Sequence, residues 1–208
     1  MKNWTNLPVL EHTTVQLIPM ELAHKEALLQ AASDGELWNL WYTSVPSADT
    51  IDAYVDTALA NKATGYEFPY VVIHKPSGRI IGTTRFTLMD SVNRRLELGY
   101  TWYAASYQRT AVNSECKFLM LGHAFEVLNC IAVQISTNWH NHKSRAAIAR
   151  LGAHQDGVLR NHRINTDGSY RDTVIFSITD REWISVKKNL LLNFRKYDSI
   201  TLSPNSVV

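Results

Sequence analysis

Cysteine is scarce: Cys116 and Cys130 are the only two in 208 residues, which excludes the disulfide framework of a small secreted domain and leaves two free thiols in a reducing compartment as the simpler expectation. The cytoplasm follows as the expected location. An excess of one charge is also lacking. The 21 Lys+Arg against 19 Asp+Glu leave +2 with no dense basic run, so no surface for neutralising phosphates is evident and nucleic acid is not an expected partner. Long apolar runs are missing as well. Glu11, His12 and Gln16 interrupt Met1 to Met20 where a secretory leader needs an unbroken apolar stretch, and nothing approaches the roughly 20 apolar residues of a membrane span. No membrane partner is expected, and there is no internal repeat or low-complexity segment.

What is present is ordinary globular material: 45% hydrophobic and 19% charged residues, enough to fill one sizeable core. The expectation is a single domain over residues 1–197 with a polar, mobile tail over 198–208. TVQLI at 14–18 reads as a strand, and Pro19 sits where a helix would begin, with Leu22, Ala23, Leu29 and Ala32 on one face. Ser47 reads as the cap of a second helix carrying Ile51, Tyr54, Val55 and Leu59, ended by Gly65. FPYVVIHK and RIIGTTRFTLMD form a hairpin about Pro76-Ser77-Gly78. RRLELGYTWY alternates, placing Leu96, Leu98, Tyr100 and Trp102 on one side and Glu97, Gly99, Thr101 and Tyr103 on the other.

After this strand the period changes. Phe118, Leu121, Phe125 and Leu128 lie on one stripe of a helix from Ser114 to Leu128. CIAVQIST reads as a buried strand, Asn141 to Leu151 as a helix closed by Gly152. GVLRNHRI and DTVIFSI form a second hairpin about Asn165 to Gly168, and a last helix runs from Arg181 to Phe194. The middle is therefore an antiparallel meander with one parallel crossover near residue 120, which is not a doubly wound fold.

The chemistry is expected where Tyr100-Thr101-Trp102-Tyr103 leads, through Gln108-Arg109-Thr110-Ala111-Val112-Asn113, into a helix. A strand feeding a tight loop and a helix N-terminus exposes unsatisfied NH groups at the positive end of the helix dipole, which suits a pyrophosphate. Taken alone, such a loop is also an ordinary strand-to-helix connection.

Residues 13 to 185 resemble the GNAT (GCN5-related N-acetyltransferase) superfamily, and within it the branch of the ribosomal-protein N-terminal acetyltransferases. The family's acetyl-CoA loop, Gln/Arg-x-x-Gly-x-Gly/Ala, is matched in register by Gln108 to Asn113. Asn141-His142-Lys143-Ser144 followed by Leu151-Gly152 resembles the branch's Asn-x-x-Ser and Leu-Gly. Gly157 to Arg160, Asp167-Gly168, Arg171-Asp172 and Glu182-Trp183 form a third anchor. Ala111 stands where the family has glycine and Asn113 where it has glycine or alanine; glycine at 111 would let the backbone adopt positive φ and approach the phosphates, which a Cβ there would crowd. The resemblance implies an α/β (α+β) fold, a bent, mixed, mostly antiparallel sheet flanked by helices. It implies an N-acetyltransferase that moves acetyl from acetyl-CoA directly to a primary amine. The backbone of Trp102 and Tyr103 would pair with the pantetheine arm, the NH groups of 109 to 113 with the pyrophosphate. Asn141 would bond the arm, and Ser144 would protonate the leaving thiolate. Homodimers are common in that branch, so a second copy is among the expected partners.

The amine must be neutral to attack. An α-amino group with a pKa near 8 is about a tenth deprotonated at pH 7, and lysine near 10.4 under a thousandth, a gap of about 3.3 kcal/mol. Glu97, facing away from the apolar row, is the candidate base, against the alternative of a solvated glutamate beside Arg94 and Arg95. Trp38, Trp41 and Tyr42 fall where relatives line the acceptor cleft, or else serve a core or interface. His140 and His142 lack a third ligand for a metal. The acceptor is expected to be a protein N-terminal α-amine; a small amine or polyamine, and a non-catalytic acyl-CoA-binding module, are the alternatives.

Overall fold

The β-branched and alternating runs assemble into one sheet in the computed structural model, which describes residues 4, 5, 8–165 and 167–201. Its strands are β1 (Leu10–Glu11), β2 (Val15–Pro19), β3 (Phe68–His74), β4 (Arg79–Asp90), β5 (Arg95–Tyr103), β6 (Ala132–Asn138), β7 (His154–Ile164) and β8 (Tyr170–Thr179). Their order is β1-β2-β3-β4-β5-β6-β8-β7. Every neighbouring pair is antiparallel except β5 and β6, which α3 (Val112–Gly122) connects by a crossover. The expected mixed, mostly antiparallel sheet flanked by helices is what forms. Helices α1 (Lys25–Ser33) and α2 (Ile51–Ala63) pack on β4 and β3; α3, α4 (His142–Leu151) and α5 (Asp180–Thr201) pack on β2, β6 and β8. Two apolar layers result. One joins Leu28, Val55, Val71 and Trp102; the other joins Phe86, Leu98, Met120, Val133 and Ile178. Among the described residues no helix is long and apolar enough to cross a membrane.

Several boundaries differ from the sequence expectation, each for a local reason. Pro19 closes β2 instead of opening a helix, because Pro19 still pairs with Tyr70; a 3-10 turn over Leu22–His24 then precedes α1. Leu22 is consequently 58% exposed and belongs to no buried face. Ser47 does not cap α2 directly. It closes a turn with Thr50, its NH donating to the Thr50 hydroxyl at 2.8 Å, and Ile51 opens the helix. The helix expected over 114–128 starts at Val112 and widens to a π turn over His123–Val127. α5 continues through Thr201, so the tail expected from 198 is helical at its first four positions and otherwise lies outside the described residues.

The alternation expected along β5 breaks at Tyr100. Thr83 pairs with Trp102 and Arg85 with Gly99, so Tyr100 and Thr101 together face Thr84, a bulge with Tyr100 in the left-handed region at φ 50°. One extra residue reverses the faces. Leu96, Leu98 and Tyr103 join the α3 layer, whereas Trp102 joins the α1–α2 layer on the side of Glu97. The Trp102 indole donates to the Tyr54 hydroxyl at 3.1 Å.

Helix α3 carries two buried charges held in different ways. Glu115, 4% exposed, accepts from the NH groups of Thr14 (2.8 Å) and Val15 (3.1 Å). That fastens the start of β2 to the first turn of α3, where the helix dipole also favours a carboxylate. Lys117, 9% exposed, donates only to the Thr101 hydroxyl at 3.2 Å, which in turn meets the Thr84 hydroxyl at 2.8 Å. Burial pushes the Lys117 pKa down to about 8 from 10.5. The native chain therefore binds fewer protons than the unfolded chain between those values. The penalty for burying the cation is complete below pH 8 and vanishes above 10.5, so stability rises with pH across that window.

Two outcomes follow. The stability advantage of Lys117→Met over the unmodified protein, measured by urea unfolding, should shrink by on the order of 3 kcal/mol between pH 7 and pH 10.5; a difference independent of pH would refute the buried cation. Gly82→Ala should destabilise by about 1–3 kcal/mol in the same assay, because its Cβ would lie 2.1 Å from the Trp102 carbonyl oxygen.

Candidate active site

β5 and β6 are paired only at Arg95↔Ala132, Leu96↔Val133 and Glu97↔Gln134. Past these residues each strand keeps only its outer neighbour. β5 stays on β4 as far as Gly82↔Tyr103, and β6 stays on β8 as far as Asn138↔Thr173. The inner edges of 98–103 and 135–138 thus face a gap with main-chain groups that no strand satisfies, an arrangement that can take an extended amide-bearing chain as an added strand.

The loop from β5 to α3 stands at the open end of this gap. Its shape comes from its own side chains. The Gln108 amide donates to the Tyr103 carbonyl (3.0 Å), and the Thr110 hydroxyl donates to the Tyr107 carbonyl (2.7 Å) while accepting from Val112 NH (3.3 Å). Gln108 and Thr110 are therefore braces, and the Tyr103 carbonyl is already occupied. The left-handed residue is Arg109, at φ 62°. Ala111 has φ −64°, ordinary helical backbone, so glycine is not required there. Glu115 NH returns to the Ala111 carbonyl at 2.9 Å. Among the described residues the NH groups of Arg109, Thr110, Ala111, Asn113 and Ser114 find no acceptor. Free NH groups on consecutive turns at the start of an eleven-residue helix fit a diphosphate in charge and geometry.

Across the gap, Asn141 caps α4, its side-chain oxygen accepting from Ser144 NH at 3.0 Å. That cap leaves the amide nitrogen of Asn141 and the half-buried hydroxyl of Ser144 to other partners. Trp41, 60% exposed, packs on Tyr42 (5.6 Å between ring centroids) and on His140 (5.5 Å). The segment after α1 therefore reaches the end of β6 beside Asn141. Trp38 instead packs into the α1–α2 layer. His140 is thus an aromatic contact, and no group of three metal-ligating side chains occurs among the described residues. Burial pushes both thiols, Cys116 and Cys130, up to about 12, well away from nucleophilic use.

Glu97 lies at the closed end, where β5 and β6 last pair. Its Oε2 accepts from the Gln134 amide at 2.9 Å, not from Arg94 or Arg95. It lines an open depression of about 480 Å³ with Leu88, Asp90, Asn93, Arg95, Ile131 and Gln134. Asp90 is committed to its own turn, accepting from Val92 NH, Asn93 NH and the Asn93 amide.

Sequence reasoning missed a buried cation on the Glu97 face. Arg85, 2% exposed, donates to Glu67 at 3.0 Å and lies 4.3 Å from the Tyr54 ring and 4.5 Å from the Tyr100 ring. Burial raises the Glu67 pKa, and Arg85 opposes that shift. The only signal in the sequence was a charge in the middle of IIGTTRFTL.

A description of an acetyltransferase (GNAT) domain matches residues 14–154. A Bacillus subtilis (strain 168) protein with the provisional name ribosomal N-acetyltransferase YdaF is 26% identical over 181 residues, covering 84% of this chain and 95% of its own. A GCN5-related N-acetyltransferase from Brucella melitensis has a TM-score of 0.81 at 27% identity, over 92% of this chain and 90% of that one. Mycobacterium smegmatis RimJ, solved in complex with CoA-disulfide, shares the fold at a TM-score of 0.73 and 20% identity, over 90% and 94% of the two chains. With the matched domain spanning both strands of the gap, the loop before α3 and the first turn of α4, the chain belongs to the GNAT family and is an acetyl-CoA-dependent N-acetyltransferase.

Proposed function

We propose that this enzyme acetylates the α-amino group of a protein N-terminus, and that the gap between β5 and β6 receives the acetyl-CoA. The observation that carries the reading is the union of free NH groups at the start of α3 with unpaired strand edges leading from them to Glu97. When bound, acetyl-CoA supplies the activated acetyl group; the chain's own residues do the rest. The NH groups of Arg109, Thr110, Ala111, Asn113 and Ser114 hold the diphosphate. The edge of β5 around Trp102 and Tyr103 aligns the arm, and a main-chain NH of that edge polarises the thioester carbonyl. The Asn141 amide nitrogen steadies the arm, and the Ser144 hydroxyl returns a proton to the departing thiolate. Glu97, oriented by Gln134, removes the proton of the attacking amine directly or through a water. Positioning supplies much of the rate, and no covalent intermediate on the enzyme is involved.

Two features favour an N-terminal α-amine. A single carboxylate held by a neutral amide suits an amine that is already about a tenth neutral at pH 7. The depression at Glu97 is open, as a polypeptide end requires, whereas Trp41 and Tyr42 stand at the other end of β6 beside His140 and would meet only a more distant part of an acceptor. The name of the Bacillus relative points the same way. Asp90, the other carboxylate in the depression, is engaged by its turn, which weakens the case for a polyamine.

Calorimetric titration with acetyl-CoA should give micromolar affinity, about 8 kcal/mol, abolished in Ala111→Glu. Glu97→Gln should lower kcat on an N-terminal peptide about 100-fold with acetyl-CoA affinity unchanged. In a panel of N-terminal peptides, internal-lysine peptides and polyamines, turnover confined to polyamines would overturn the acceptor assignment, and absence of acetyl-CoA binding would overturn the cofactor assignment.

A further inference from the structure

β7 and β8 end in a hairpin whose register sets Arg163 directly opposite Arg171. Like charges facing each other across a ladder repel, so such a pair normally has a carboxylate between or beside it. Here neither guanidinium has an ion-pair partner among the described residues. The acids of the hairpin are engaged elsewhere: Asp172 by Arg160 Nε at 2.7 Å and the Asn161 NH at 2.7 Å, Asp167 by the Ser169 NH and hydroxyl, and Asp156 by the Ser177 hydroxyl. Arg171 is half-buried, and its Nε is shielded from solvent without a hydrogen-bond acceptor. A buried guanidinium NH with no acceptor costs more than a neutral orphan, and the extended fork beside it is built for an anion.

The pair lies on the working face of the sheet. Gln134 bonds Glu97 and pairs with Ser177 on β8, so Gln134, Ser177 and, by alternation, Thr173 and Arg171 point to the side of Glu97. The helices on that side, α1 and α2, cover β4 and β3, whereas α4 and α5 cover β6 and β8 from the other side. Arg171 is near enough to feel Tyr100 and Glu97: burial and then the Arg163 charge lower its pKa, while Tyr100 and Glu97 act in the opposite direction. Tyr100 also receives the Arg85 guanidinium on its ring at 4.5 Å. Arg85 is itself buried, with Nε and Nη2 unpartnered. The face bordering Glu97 therefore carries three guanidiniums, of which, among the described residues, only Arg85 is in an ion pair, with Glu67.

We infer that Arg163 and Arg171 form an anion clamp that selects acceptors carrying a carboxylate or phosphate a short distance from the amine. Resting on the N-terminal reading above, the favoured acceptor is a polypeptide whose first few residues after the reacting α-amine include Asp, Glu or a phosphorylated side chain. A free amino acid, with its own carboxylate, presents the same chemistry on a smaller scaffold. Arg171 binds the anion through its fork and Arg163 adds a second charge from the hairpin's outer strand. Neither touches the reacting atoms, so Arg163 acts on acceptor affinity, and Arg171 acts on acceptor affinity and, through its charge, on Glu97.

The test is a matched set of N-terminal peptides, identical except for acidic, neutral or basic residues at positions two and three, together with free glutamate and glutamine. Each is assayed for acetylation, and each N-acetylated peptide for binding by fluorescence anisotropy. The unmodified enzyme should favour acidic over neutral peptides about tenfold or more in KM, with kcat equal and the preference falling as salt rises. Arg163→Gln should erase most of the preference while leaving kcat on the neutral peptide intact, and Arg171→Gln should erase it while changing kcat on acidic and neutral peptides by the same factor, since its charge also reaches Glu97. Arg171→Lys should restore part of it, and the doubly reversed Arg163→Glu, Arg171→Glu enzyme should turn toward basic peptides. The neutral-peptide kcat also reports that each variant is folded. Equal KM for acidic and neutral peptides, with both acetylated, would overturn the clamp and leave the N-terminal reading standing. Acetylation of free glutamate over glutamine, lost in Arg171→Gln, with no peptide acetylated, would keep the clamp and overturn the N-terminal reading. No preference for an anion in either turnover or binding would end the proposal.

Discussion

The rest of the site depends on one failure of pairing. β5 and β6 run together for three residues and then each is claimed by its other neighbour, β4 and β8 respectively. Buried main-chain NH and C=O groups seldom go without partners, so a sheet that parts in its middle must either admit water or offer the gap to an extended ligand. The crossover that makes β5 and β6 parallel also brings the N-terminus of α3 to the mouth of that gap. One topological choice therefore supplies both a slot for an amide-bearing chain and a positive helix end for its charged head. Glu115 keeps that end in place by gripping β2.

The bulge at Tyr100 divides the labour between the two sides of the sheet. Before it, Leu96 and Leu98 pack under α3; after it, Trp102 turns to α2 and is held by Tyr54. A left-handed tyrosine costs on the order of 1 kcal/mol. In return its ring stays on the side of Glu97, where Arg85 lies against it. The side facing α3 is apolar and handles packing, apart from Lys117 and Glu115. The opposite side collects Glu97, Gln134, Tyr100, Arg85 and Arg171. The charged and polar side chains are thus separated from the main apolar layer by the thickness of one sheet.

Much of this was legible in the sequence. The strand, helix and hairpin order was visible in periods of 2 and 3.6 and in the turns at Pro76–Gly78 and Asn165–Gly168, because each is a local property. The loop Gln108–Asn113 before α3 was legible for the same reason, whereas the role of Asn141 as the cap of α4 was not. Glu97 was placed on the face opposite Leu96 and Leu98, as found, but its partner was not: Gln134 is brought beside it by a long-range parallel pairing that no local pattern encodes. The reversal at Tyr100 was hidden because the left-handed position of the bulge falls on a tyrosine and not on the neighbouring Gly99. Arg85 and the Arg163–Arg171 pair depend on registers between strands, and register is decided by the assembled sheet. Ala111 shows the converse error, since the conformational demand assumed for that position falls on Arg109.

The same parting of β5 and β6 has a cost during biosynthesis. β6 gains only three paired residues from the strand that precedes it in the sheet and takes its full-length partner from β8, which the ribosome completes only after α4 and β7 have emerged. For that interval AVQISTN, a β-branched segment without charge, presents hydrogen-bonding groups along its whole length on the side of β8 and beyond Gln134 on the side of β5. Such a segment is a template for pairing with other nascent chains. The parting of β5 and β6 is therefore also a window of vulnerability to aggregation, closed on one side only when the last hairpin docks.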